Sequence, residues 1–478
     1  MSFTNDQDDV SMDFDEMTLS IPLEDADADA ESSSTTLSEV STMDDNVLLE
    51  LESDIYDEMD DYVASNLLHY ASPSFHTDLI DSVTETIYNA AVDSNICCET
   101  ETNHQDIRDM VTTLARTAFH DAHLHVIRSY PPETDVADLP PQPWSAAELH
   151  DKIQRLKSLP QPTQRTPEWY EFRNNLLTAS NLYKALGTQS QQNSLICEKC
   201  KPCIRIDAAG SSAPPPPPNV LSATHWGQKY ESLSVMVYEA AFPGVQVDAE
   251  FGCIPHPDHS FIGASPDGIV YGGNRTGHML EIKNTVSREI GHDPILSHWI
   301  QCQIQLETCD LEYCDYVQTN FAEISETEFY TSNSAAEEPT ASPSKGVILH
   351  LISKKDGAGV YKYLYMPLNI VSTARSVRNW THAQMDIYGG EFHLFETLYW
   401  KLNRFACVVI PRNRAWFQSV LPIFKQTWDT IEYERVHGYE HRFPKKREVS
   451  GGCGGTGGGG GTAGRSHTLL LNVIKLDV

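Results

Sequence analysis

Between residues 144 and 370 the apolar positions change period several times, and that change predicts helices interleaved with strands. Helical spacing runs from Ala146 to Leu159, from Trp226 to Ala241 and from Trp299 to Thr308, and Arg173 to Ala185 reads as a further helix start. Short β-prone runs stand at Val245 to Glu250, Ile269 to Tyr271, Met279 to Lys283, Asp315 to Phe321, Gly346 to Ser353 and Val360 to Met366. Gly272-Gly273-Asn274 separates two of them and is a hairpin turn signal. In the second arm of that hairpin Leu280 and Ile282 alternate with Glu281 and Lys283, so the two charged residues share one face. Asp267 stands between Pro266 and Gly268, at a bend from which the hairpin folds the charged face back toward it. Upstream, residues 61 to 130 carry helical spacing, as in Met110 to Ala115 and Ala118 to Leu124. Downstream of 370 the pattern predicts three helices, Ser372 to Ile387, Phe392 to Phe405 and Trp416 to His437.

The stretches between are of different character. Residues 130–143 form a linker containing Pro and acidic residues, Ala213 to Pro218 is a polyproline II segment, 324–345 is a Ser-, Glu- and Pro-rich loop, and 451–464 is nearly all Gly. The expected organisation is an acidic arm over 1–60, a helical pre-domain with its linker over 61–143, a central domain over 144–370, a helical extension over 371–447 and a Gly-rich tail over 448–478. No role is derived for the apolar stretch Thr468 to Val478.

Charge alters this picture at one end only. The 478 residues carry 67 acidic and 34 basic side chains, a formal charge of −33. The first 107 residues hold 28 of the acids and no Lys or Arg, which leaves the remainder at −5. Residues 1 to about 60 have too little apolar surface to offset the entropy of ordering, so disorder is expected there, as a solubilising tail in preference to a DNA-mimicking or partner-binding arm. The near-neutral remainder is compatible with a locally basic groove for DNA. Eleven cysteines without a secretory signal favour a reducing compartment, and no run of about 18 apolar residues predicts a membrane span.

Two carboxylates and an ammonium at a sheet edge suit Mg²⁺, which takes oxygen ligands and keeps several waters; Mn²⁺ is a second candidate. Such an ion assists phosphodiester cleavage, and a nearby lysine orients the attacking water or neutralises transition-state charge. Taken alone, the same residues also fit a surface hairpin with a Glu–Lys pair. Cys197, Cys200 and Cys203 have the spacing of zinc or iron–sulfur ligands but lack a well-spaced fourth cysteine, and free thiols are the favoured reading. His120, His123 and His125 read as the polar side of a surface helix. Ser180 fits either an anion site at a helix start or an ordinary cap. Arg412 and Arg414 are candidate phosphate contacts, and Lys445-Lys446-Arg447 is a short basic cluster, either a nuclear address or a DNA contact.

The hairpin does not stand alone. Arg165-Thr166-Pro167-Glu168-Trp169-Tyr170-Glu171-Phe172-Arg173, Leu177-Thr178-Ala179-Ser180, His225-Trp226-Gly227 followed by Glu231, and Trp299-Ile300-Gln301-Cys302-Gln303 bracket it in order. Together these blocks resemble the YqaJ-like viral recombinase family, whose relatives include phage lambda exonuclease, within the PD-(D/E)xK nucleases. The resemblance covers roughly residues 164 to 321. Tyr399-Trp400-Lys401 and Arg412-Asn413-Arg414-Ala415-Trp416-Phe417 look like the versions found in large DNA viruses, extending it to about residue 447.

The resemblance implies a restriction-endonuclease-like α/β fold, a mixed central sheet flanked by helices. It implies that Asp267 and Glu281 ligate the metal, that Glu231 is an additional acid near it, and that Lys283 is the catalytic lysine. Arg173, Ser180 and Ser265 match residues that hold a terminal phosphate, Gln301 the glutamine behind the active site, and Arg288 a further basic position one residue short in spacing. Asn284 and Thr285 replace the family's usual Cys-Pro or Asn-Pro. The implied activity is a Mg²⁺-dependent 5′-to-3′ exonuclease on duplex DNA, yielding 3′ single strands for recombination or repair. An endonuclease or repair nuclease on the same fold and a catalytically silent DNA-binding scaffold are the alternatives. The implied partners are duplex DNA, a single-strand annealing protein and two further copies in a trimer. The implied location is inside the cell, in cytoplasm, nucleus or a viral factory.

Overall fold

The computed structural model describes residues 45–93, 102–121, 128–162, 166–202, 223–286, 288–331, 345–355 and 357–443. The chain divides into two compact units, Met1–Leu51 and Glu52–Val478. The first contributes to the described residues only the opening turns of helix α1 (Asp45–Ser65). Two further helices, α2 (Phe75–Asp93) and α3 (Thr102–Asp121), precede α4 (Ala146–Ser158) and α5 (Pro167–Asn174). Then come β1 (Leu177–Thr178), α6 (Ala179–Leu182), α7 (Gln189–Cys200) and α8 (Ala223–Ala241). The strands β2 (Gln246–Asp248), β3 (Ile254–Pro255), β4 (Ile262–Ala264), β5 (Gly268–Gly272) and β6 (Met279–Asn284) follow. The chain continues through α9 (Leu296–Cys309), β7 (Tyr313–Ile324), α10 (Glu326–Thr331), β8 (Lys345–Ser353), β9 (Gly357–Tyr365), α11 (Ala374–Tyr388), β10 (Phe392–Pro411) and α12 (Arg414–His437).

Seven strands form one mixed sheet in the order β2-β5-β6-β7-β10-β8-β9; β6 and β7 run parallel and every other pair is antiparallel. A small second sheet, β1-β4-β3, carries the residues before the hairpin. The alternation foreseen in β6 decides which side each residue serves. Leu280 and Ile282 pack with Tyr238 of α8, Val270 and Val317. Glu281 and Lys283 therefore face the other way, toward α9. The mixed α/β architecture, a sheet flanked by helices, is thus the one expected.

Several expected elements differ. Glu326–Thr331, inside the expected loop 324–345, is helix α10, and Arg173, expected at a helix start, lies in the last turn of α5 with β1 and α6 after it. Phe392 to Phe405 is strand, part of the 20-residue β10, which pairs with β7 on one side and β8 on the other. Its period is two: Leu398 and Trp400 enter the cluster under α8 (Tyr230, Leu233, Val237), while Tyr399 between them packs on the cluster of Phe329 and Val347. A run apolar on both faces belongs to a sheet interior and has no helix-specific signature. Residues 45–60, within the arm expected to be disordered, lie in α1, where Ile55, Met59 and Val63 are buried at four-residue spacing. Residues 1–44 fall outside the described residues, as do the proline run, the basic cluster at 445–447 and the tail.

The 130–143 segment is packed: Tyr130 and Leu139 form a cluster with Tyr313 and Val409. Arg128, 1% exposed, donates to the carbonyls of Ala71 and Pro294 at 2.9 and 3.0 Å, and its own carbonyl accepts from the Trp299 indole at 2.9 Å. The helices upstream are thereby tied to the start of α9. No helix among the described residues is long and apolar enough to cross a membrane.

Candidate active site

The site is built on the β5–β6 hairpin. Asp267 precedes β5; its N–H donates to the Leu280 carbonyl at 3.1 Å and its Oδ2 accepts from the Ile282 N–H at 2.7 Å, which fixes the carboxylate against β6. The next residue has to be small, because a Cβ on Gly268 would stand 2.5 Å from Val247 Cγ1 of β2. The turn is closed by Gly273 at φ +77, a conformation costly for any residue with a Cβ. Beneath the hairpin, buried Asp315 of β7 accepts from Arg275 Nη1 at 2.9 Å and from the Tyr238 hydroxyl, and its Oδ1 meets His278 Nδ1 at 2.9 Å.

Glu281 is 1% exposed. Its Oε1 lies 2.5 Å from Lys283 Nζ, and its Oε2 accepts from Gln305 Nε2 at 2.8 Å. Lys283 also donates to Gln301 Oε1 at 3.2 Å. Burial works against the Lys283 ammonium, but the Glu281 and Asp267 carboxylates outweigh it and hold its pKa above the ordinary value. Burial, followed by Glu281 and Glu231, drives the Asp267 carboxyl well above the usual carboxylate range; Lys283 and the Ile282 N–H only partly oppose this. Asp267, Glu281, Lys283, Gln301 and, on α8, Glu231 are therefore brought to one place. Among the described residues no three His, Cys, Asp or Glu side chains form a preformed metal cage.

Gln305 belongs to this group and was not foreseen. It is fully buried and its Nε2 donates to Glu281 and, at 3.2 Å, to the Ser265 carbonyl. The available signal was its spacing of four from Gln301, which puts both on one face of α9. Gln303, between them, turns away and bonds Pro411 and Asn413 instead.

The Ser265 carbonyl leads to a second cluster. Among the described residues the buried Ser265 hydroxyl oxygen has no partner of hydrogen-bond geometry, although it bears on the neighbouring Cys253 thiol. The same thiol feels the charges of Arg173 and Lys199. Arg173, in the last turn of α5, lies 4.4 Å over the Trp169 ring, and burial lowers the pKa of its guanidinium. Ser180 is part-buried on the four-residue α6, its hydroxyl 3.3 Å from that of Thr178. Arg288 is exposed, and its Nη2 donates to Gln318 Oε1 at 3.2 Å. His298, a further unforeseen neighbour, lies 2.7 Å from the Tyr316 hydroxyl; burial pushes its pKa down to about 3, with Lys283 and Arg288 adding to the effect.

The expectation that Arg412 faces DNA phosphates is corrected: its side chain is 8% exposed and paired with Glu307 at 2.5 Å and Asp310 at 2.8 Å, which commits it to the end of α9. Arg414, its side chain half exposed, pairs with Glu312 at 2.5 Å. Cys197 and Cys200 are buried free thiols, and Cys200 Sγ donates to the Ile431 carbonyl at 3.7 Å. Cys203 and the side chains of His120, His123 and His125 lie outside the described residues.

Comparison with known proteins agrees with the blocks that frame this site. An uncharacterized protein, R354, of Acanthamoeba polyphaga mimivirus is 26% identical over 318 residues, which cover 60% of this chain and 55% of the relative, so the chain spans about half the relative's length. Among solved structures, an alkaline exonuclease from Laribacter hongkongensis is similar over 58% of this chain and 97% of its own, at 16% identity and a TM-score of 0.32. The same enzyme in complex with dAMP gives 16% identity and a TM-score of 0.31 over the same coverage. Residues 168–320, the stretch that holds both clusters, match the YqaJ-like viral recombinase domain.

Proposed function

We propose that this chain is a Mg²⁺-dependent deoxyribonuclease that digests duplex DNA from a 5′-phosphorylated end and leaves a 3′ single strand for recombination. The observation that carries the reading is the single side chain of Gln305, which binds both Glu281 and the Ser265 backbone. A carboxylate site and an anion pocket are thus held side by side, as removal of terminal nucleotides requires. The family match of residues 168–320 supports DNA as substrate.

The donor set fits a divalent cation: burial and neighbouring carboxylates drive Asp267 far above its usual range, an excess of negative charge that one ammonium does not balance. Asp267 and Glu281 would hold the ion, with Glu231 close enough to bear on it. Bound there, Mg²⁺ supplies Lewis-acid stabilisation of charge developing on the phosphodiester. Lys283, oriented by Gln301 and Glu281, positions the attacking water and offsets charge in the transition state. Gln305 holds the Glu281 carboxylate in its rotamer from behind. Arg173, Ser180 and Ser265 anchor the terminal phosphate, the guanidinium as a planar donor and the hydroxyls as single donors.

The test is digestion of linear duplexes with 5′-phosphate or 5′-hydroxyl ends and of covalently closed circles, in Mg²⁺ and in Mn²⁺, with Asp267→Ala alongside. Shortening of phosphorylated linear DNA from its 5′ ends, surviving circles and an inert variant are expected. Nicked circles would make it an endonuclease on this fold; binding without cleavage in either metal would make it a scaffold.

A further inference from the structure

We infer that Lys199 is a fourth member of the terminal-phosphate pocket, a cation that reads the 5′ phosphate beside Arg173, Ser180 and Ser265. The inference rests on the pocket assignment made above. Lys199 lies between Cys197 and Cys200, and the fold uses this short segment in an unexpected way. The cysteines pack inward, Cys200 onto α12. Lys199 is carried in the last turn of α7 to the back of α5, where its Nζ donates to the Arg173 carbonyl at 2.8 Å. It is 5% exposed, and among the described residues it has no ion pair. That leaves two of its three ammonium donors for another acceptor.

The charge balance around it is lopsided. Arg173, Lys184 and Lys199 gather around one carboxylate, Glu198, and Arg435 adds a further positive charge beside Lys199. That carboxylate is already shared, accepting from Asn181 Nδ2 at 2.7 Å and lying 3.3 Å from Lys184 Nζ. Arg435 donates through Nε and Nη2 to the carbonyls of Lys199 and Asn174 and makes no ion pair among the described residues. Burial lowers the Lys199 pKa to about 8; Glu198 opposes this in part, and Arg173 and Arg435 add to it. A buried ammonium short of counter-charge is costly unless an anion comes to it. The buried Ser265 hydroxyl without a geometric partner lies at the same thiol, Cys253, that senses both Lys199 and Arg173. A compact dianion such as a terminal phosphate suits this set, since lysine acts on phosphate as a point charge while arginine grips it as a fork.

Lys199→Met keeps the alkyl stem and removes the charge, and the backbone bonds to Arg435 survive it. The measurement is the ratio of digestion rates on 5′-phosphorylated and 5′-hydroxyl duplexes of identical sequence. The ratio should fall about tenfold or more in Lys199→Met, the scale of one charge-assisted contact to phosphate, and recover in part in Lys199→Arg. A purely structural lysine would slow both substrates equally; an unchanged ratio in Lys199→Met overturns the assignment. Arg173→Ala separates the two levels of the argument. If it collapses the ratio while Lys199→Met does not, only Lys199 is misassigned. If Arg173→Ala also leaves the ratio intact, or the parent protein ignores the 5′ group, the pocket itself is wrong.

Discussion

Asp315→Asn is the sharpest test of how the hairpin is held. Asp315 is fully buried opposite Leu280 in the β6–β7 register, and it is the carboxylate on which Arg275, His278 and the Tyr238 hydroxyl converge. Arg275 sits in the turn of the hairpin, its side chain 8% exposed and its guanidinium 4.0 Å over the Phe242 ring. The asparagine keeps the shape and one acceptor but leaves that guanidinium buried without a counter-ion. Breaking a buried pair in this way costs about 3–5 kcal/mol, and the retained acceptor argues for the lower end, about 3 kcal/mol. Unfolding by urea, followed by tryptophan fluorescence, should show the loss as a lower midpoint at neutral pH. The pH dependence gives a second check. Burial would raise the Asp315 pKa, but His278, Arg275 and Tyr238 outweigh it and leave the carboxyl below its ordinary value. A depressed carboxyl stabilises the fold above its unfolded pKa of about 3.9 and ceases to do so as pH falls through the folded value, so parent and variant should converge below about pH 4. An unchanged midpoint at pH 7 would refute the claim that this charge holds the hairpin.

Lys283→Ala should leave binding to duplex DNA largely intact and abolish cleavage, read by anisotropy and digestion on one preparation; retained cleavage removes the lysine from the chemistry. Gln305→Leu should lower the digestion rate by about ten- to a hundredfold, the value of a hydrogen bond to a charged group, with a smaller effect on binding. His256 and His350 are 6% exposed, and burial lowers both pKa values to about 4, with His259 adding at the first and His225 at the second. Both stay neutral in the fold, so their contribution is complete above pH 6.5 and is lost between 6.5 and 4, about 3 kcal/mol each; a pH series of unfolding midpoints should fall across that window.

The β5–β6 hairpin was legible because its information is local. Period-two alternation in Met279 to Lys283, a glycine turn and a proline before Asp267 each act within a few residues, and the charged face follows from them. Phe392 to Phe405 failed for the opposite reason: its apolar residues serve two faces of a sheet, and only the partners β7 and β8, distant in sequence, decide between strand and helix. Acidic composition hid the stripe Ile55, Met59 and Val63 in the same way, since average hydropathy says nothing of spacing. The pairing of Arg412 with Glu307 and of Arg414 with Glu312 joins residues about a hundred positions apart, which no local pattern announces. Gln305 lay within reach, one turn from Gln301, but α9 carries three glutamines and only packing tells which two face the sheet.

The two clusters share more than a glutamine; they are opposite in sign. At Asp267 and Glu281 carboxylates outnumber the ammonium, and at Arg173 and Lys199 cations outnumber the carboxylate. Folding has buried both imbalances, and on the proposed function each would be relieved by a different part of one substrate complex, a metal ion at the first and the terminal phosphate at the second. Placed apart, these excess charges would serve two unrelated ligands. Placed on either side of Ser265, with its backbone bound to the side chain that also holds Glu281, they would, on the proposed function, tie recognition of the strand end to the position of the cleaved bond. End preference and cleavage should therefore be coupled through Gln305. Its loss should reduce the discrimination between phosphorylated and hydroxyl ends as well as the rate, whereas loss of Lys283 should act on rate alone. Equal discrimination in Gln305→Leu and the parent would mean that the clusters work independently despite their contact.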